Sequence, residues 1–134
     1  MAEELEFPRE LREGVRLFNQ GEFFACHDVL EELWTDTLGS ERAFYQGLIH
    51  AAVSLFHFEE GNLGGARKMY DSTRKYLMPF LPEFMGIDLA GFLRDYQVCF
   101  QPLLDAGSVW PANAALDSEL LPQLQRKGDA EHHV

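Results

Sequence analysis

Apolar residues recur at intervals of three and four along most of the chain, and glycine and proline divide the pattern into segments. Leu11, Val15 and Phe18 set the first segment, which predicts a helix over residues 7–19, with Pro8 suited to a first turn and Gly21 to the stop. A second helix is expected over residues 22–37, ending before Gly39. The third, residues 40–60, is apolar almost all round: Phe44, Leu48, Ala51 and Leu55 occupy one side, Tyr45, Ile49, Ala52 and Phe56 the next. Such a helix belongs at the centre of a bundle. Ser40 is its expected N-cap and Gly61 its stop. Asn62 is placed to cap a fourth helix over residues 63–77, which Pro79 and Pro82 terminate. Asp88 then caps a fifth, reaching Gln101 or a little beyond Pro102, with Leu89, Phe92, Leu93, Tyr96 and Phe100 on its apolar face. No strand-like alternation and no solenoid repeat interrupts this order.

The expected fold is therefore all-α, an antiparallel helical bundle of about five helices with a short irregular C-terminal tail. Residues 1–106 form the bundle domain. Residues 107–134 are expected to pack on it through Trp110 and the leucines at 116, 120, 121 and 124, with the last residues frayed.

The second helix departs from simple amphipathic logic. His27, Glu31 and Trp34 stand at i, i+4 and i+7, on one side of the helix, beside Phe23 and Leu30. A histidine and a carboxylate on a face expected to be buried need a partner, a metal or a proton. The third helix carries its own polar stripe, Gln46, His50 and His57, with Arg42 near its edge.

Composition narrows the function. The 134 residues, 46% hydrophobic and 25% charged, are those of one ordinary globular domain. The net charge of −11 repels phosphate backbones, so no nucleic-acid partner is expected. No apolar run reaches the ~18 residues of a membrane span, and the acidic start MAEELEFPRE is unlike a signal peptide. A cytoplasmic protein without a membrane partner is expected. Cys26 and Cys99 lack metal-type spacing, and Cys26 diverges by roughly 100° from the adjacent His27, which disfavours a nucleophile pair.

The blocks FNQGEFFACHDVLEELW, RAFYQGLIHAAVSLFH and GNLGGA together resemble the bacterial and archaeal helical family known as domain of unknown function 309, over about residues 11–93. Its hallmark is HxxxExxW, here His27, Glu31 and Trp34. The resemblance implies an all-helical protein without established activity whose motif has been suggested to bind metal. Arg42, Gln46, Gly47, His57, Asn62, Gly65 and Ala66 also match, whereas His50 stands where the family prefers glutamine, which weakens His50 as a ligand.

Three readings follow. In the first, His27 and Glu31 supply two ligands and His57 a third for a divalent metal (Zn, Mn or Fe), or the site holds a small ligand. In the second, the residues form a structural network, Glu31 accepting from Arg42 or His27, within an interaction or oligomerisation module; the 13% aromatic content leaves residues for a homodimer interface. The third is a metal-dependent hydrolase, which requires a pocket and an open coordination position, with catalytic residues that the sequence leaves unknown.

Overall fold

The computed structural model describes residues 7–106 and 114–126. Five helices follow one another: α1 (Arg9–Asn19), α2 (Phe23–Asp36), α3 (Glu41–Glu59), α4 (Leu63–Leu77) and α5 (Leu89–Ala106). The all-α bundle expected from periodicity is thus the architecture observed. Gly21 and Gly61 take φ near +80°, the left-handed conformation that lets the chain leave α1 and α3 sharply. The Asn62 side chain accepts from the Gly65 amide at 3.1 Å and Asp88 from the Gly91 amide at 3.0 Å, so both caps form as expected. Ser40 does not: its backbone is already helical and its side chain makes no cap bond.

The helix α3 runs through the middle, with Phe44, Leu48, Ala51, Ala52 and Leu55 fully buried. Aromatic contacts join α3, α4 and α5. Phe58 meets Phe100 of α5 at 5.0 Å, and Tyr70 of α4 stacks on Tyr96 and Phe100 at 4.7 and 4.8 Å. The buried Tyr96 hydroxyl lies 2.6 Å from Ser54 Oγ and donates to Thr73 Oγ1 at 3.2 Å, tying α3, α4 and α5 together by one polar chain. Burial raises the Tyr96 pKa, so this hydroxyl stays protonated.

One feature departs from expectation. Residues 83–88 contain a two-residue ladder, β1 (Glu83–Phe84) antiparallel to β2 (Ile87–Asp88), closed by Met85 and Gly86 at φ of +52° and +80°. Positive φ at both central positions is the geometry of a tight hairpin turn, and two-residue strands are too short to show alternation. α5 continues through Pro102 to Ala106, within the extent expected. Residues 114–126 return to the bundle: Asn19 and Leu124 exchange two hydrogen bonds of 2.8 Å, and the Asp88 amide donates to the Gln125 carbonyl at 3.0 Å. Trp110 and residues 127–134 lie outside the described residues.

Candidate functional site

The buried stripe of α2 consists of Phe23, Cys26, Leu30 and Leu33. At roughly 100° per residue its centre falls about 80° from His27 and 120° from Glu31. The expectation that the motif faces the core is therefore corrected: the His27 side chain is 29% exposed and that of Glu31 54%. Phe23 and Leu30 are the buried neighbours of a pair that rides the edge of the stripe.

On that edge His27 Nε2 lies 2.8 Å from Glu31 Oε2, and His27 Nδ1 lies 3.2 Å from Asp28 Oδ1. Two carboxylates thus bracket one imidazole. Arg42 does not join them. Its guanidinium stacks 3.7 Å from the Trp34 ring centroid, and its Nε donates to the Trp34 carbonyl at 3.3 Å. This cation–π clamp holds the start of α3 against the end of α2. The indole Nε1 is buried and has no partner among the described residues.

The histidines of α3 turn elsewhere. His50 Nδ1 lies 2.7 Å from Ser72 Oγ of α4, and its ring meets Tyr76 edge-on at 5.2 Å. His57 Nδ1 lies 3.3 Å from Asn62 Nδ2 at the turn into α4. Gln46 is half-buried one turn before His50. Among the described residues no group of three His, Cys, Asp or Glu side chains converges as a metal site would require. The structure joins His27 to Glu31 and Trp34 to Arg42, and leaves Gln46, His50 and His57 outside those pairs.

Burial pulls the His50 pKa below its ordinary 6.5. The unfolded chain therefore takes up this proton at higher pH than the folded one. The stability from keeping His50 neutral is complete above 6.5 and is lost as pH falls from there through the depressed folded value. His50→Gln should flatten that part of the dependence, read as the urea midpoint measured at steps below pH 6.5. Cys26 is fully buried and its thiol is pushed up to about 12 by that burial, which leaves it unsuited to nucleophilic work beside His27.

One residue of the site did not stand out by type. Phe24 is 59% exposed, its ring 5.6 Å from Phe56 of α3 and 6.1 Å from His27. Phe56, expected in the core, is half-buried beside it and reaches towards His57 at 6.3 Å. The signal was present in the spacing: Phe24, Asp28, Glu31 and Thr35 share one polar arc of α2.

The class thus defined is a small all-α bundle with a polar and aromatic face on its second and third helices. The chain resembles the family described as "Domain of unknown function (DUF309)", whose model matches residues 11–69. The match takes in α1 to α3 and the start of α4, with every motif residue, and stops short of the residues 70–93 that the sequence blocks suggested. An uncharacterised protein of Aquifex aeolicus is 33% identical over 87 residues, covering 64% of this chain and 26% of that protein. The uncharacterised protein YpuF of Bacillus subtilis is 32% identical over 85 residues, covering 61% of this chain and 49% of YpuF. The chain thus spans about a quarter and about half of these relatives. No helix of the described residues is long and apolar enough to cross a membrane.

Proposed function

We propose that the protein is a helical docking module and that the seam of α2 and α3 receives a cationic amphipathic helix of another protein. The observation that carries this reading is Phe24, a large aromatic held out at 59% exposure against Phe56. Exposed aromatics flanked by a polar rim are the usual anchors of an interface. The rim here is acidic. Asp28 and Glu31 follow Phe24 by one and two turns, and Glu59 and Glu60 follow Phe56. The Glu59 carboxyl is pushed up by burial and by the charges of Glu60 and Glu22, so like charges crowd this end of the seam. Lysine or arginine on a partner relieves that crowding while an apolar face covers Phe24. A second copy of a chain of charge −11 supplies the opposite of what the rim wants, which argues against the homodimer.

The test is titration calorimetry with a leucine/lysine amphipathic model peptide at two salt concentrations. Binding should weaken with salt, and Phe24→Ala should raise Kd at least about tenfold while leaving the melting point unchanged. Equal affinity of the variant and the native chain would overturn the reading.

A second reading keeps the divalent metal, and His27 and Glu31 favour it by setting a ring nitrogen and a carboxylate oxygen 2.8 Å apart on an accessible edge. His57 would be its third ligand only after moving from Asn62. Elemental analysis of a chain ended after Gly128, free of His132 and His133, separates the two: near-stoichiometric Zn, Mn or Fe that disappears in Glu31→Ala favours the metal. The hydrolase reading gains no support from this geometry.

A further inference from the structure

On the other side of the bundle, α4, the turn after it and α5 enclose a shallow cleft of about 440 Å³, lined by Leu81, Pro82, Ala90 and Leu93 with Arg74, Arg94 and Gln97. We propose that this cleft binds a small amphiphilic carboxylate, with an apolar chain or ring on the floor and the acid group between the two guanidinium groups. The proposal stands apart from the docking seam and shares no residue with it.

The cleft has the size usual for small-molecule sites, which are mostly apolar with a few convergent polar groups. Its floor fits that description, and Leu81 is left partly exposed over it. Its charge is opposite to that of the chain. Only 11 of the 134 residues are Lys or Arg, against 22 Asp and Glu, yet two arginines from different helices line this one hollow. Neither guanidinium is committed to a close carboxylate among the described residues. The Arg94 side chain is 73% exposed and its nearest ion-pair contact, Asp95, lies at 3.9 Å. Arg74 lies near enough to the Tyr70 hydroxyl to lower its pKa against the larger raising effect of burial, and a guanidinium has five N–H donors to offer. A guanidinium fork is matched to a carboxylate, which it binds through two parallel hydrogen bonds. Gln97, three residues after Arg94 on the same helix face, adds an amide donor. The first-turn amides of α5 are already taken, that of Gly91 by the Asp88 carboxylate and those of Leu89 and Ala90 by the Pro82 carbonyl, so the helix dipole adds nothing here.

The volume sets the ligand class. A cleft of this size takes a medium-chain or single-ring acid, whereas an inorganic anion would leave the apolar floor wet. The probe is decanoate, titrated below its micelle concentration into the native full-length chain with amide NMR as readout. Saturable shifts should map to Leu81, Ala90, Leu93 and Gln97, and Arg94→Gln and Arg74→Gln should each weaken Kd about tenfold. Arg94 is exposed enough that its variant will fold, and an unchanged melting point verifies this. The cationic analogue decyltrimethylammonium should leave these amides unmoved. No saturable shift, shifts that map elsewhere, or an Arg94→Gln chain that binds as tightly as the native one would overturn the proposal.

Discussion

Phe100→Ala is expected to lower the unfolding free energy by about 4 kcal/mol, measured by urea denaturation of the native and variant chains. Phe100 is fully buried in α5, and its ring lies 5.0 Å from Phe58 of α3, 4.8 Å from Tyr70 of α4 and 5.0 Å from Tyr96 one turn before it. Removing the ring takes away its transfer free energy and leaves a hole between three helices that aromatic neighbours fill poorly, since they pivot only about two side-chain bonds. A loss of that size is a large part of the total stability usual for a domain, so the melting point should fall by roughly 10–15 °C. Both Phe100 and Tyr70 lie beyond the residues 11–69 that match the family model. The matched segment carries the motif, but in this chain it relies on α5 to close its core.

Several helix boundaries were legible because a residue with a specific backbone task stands at them. Gly21 and Gly61 adopt positive φ, and Asn62 and Asp88 hold first-turn amides. The motif was legible as a group but not in its orientation. A fourteen-residue helix with apolar residues at 23, 24, 26, 30, 33 and 34 leaves two arcs competing for the core. The sequence gives no rule for choosing between an arc centred on Phe23 and Trp34 and one centred on Cys26 and Leu30. Packing chose the second, which moved His27 to the edge and Phe24 to the outside.

The direction of the polar stripe of α3 was not legible, for a related reason. Gln46, His50 and His57 lie close to one face, but α2 and α4 both flank α3, and a stripe between them can turn to either. His50 found Ser72 on α4, and His57 found Asn62 at the turn. Arg42 preferred the Trp34 ring to the Glu31 carboxylate because a guanidinium can stack flat on indole while it donates to the same residue's carbonyl. The arginine cleft was not legible at all. Arg74 and Arg94 are twenty positions apart in sequence, and only the fold of α4 against α5 brings them to one hollow.

The matching glycines have a physical basis, and Gly47→Val tests it. A Cβ at Gly47 would lie 2.4 Å from Leu77 Cδ2 and 3.2 Å from Tyr76 Cβ, so α3 and α4 approach as closely as they do only because position 47 has no side chain. Leu77 is fully buried and has little space to retreat. Valine gains a few tenths of a kcal/mol in helix propensity over glycine, which offsets little of an overpacking cost of about 3 kcal/mol. The net loss should appear as a lower urea midpoint. The cause is checked by a cycle with Leu77→Ala. That substitution alone opens a cavity and costs about 2–5 kcal/mol, but the space it frees is the space the valine needs. The double variant should therefore be more stable than the sum of the two losses predicts, by at least about 1 kcal/mol. Strict additivity would mean that Gly47 serves the backbone of α3 alone and that the α3–α4 contact does not depend on it.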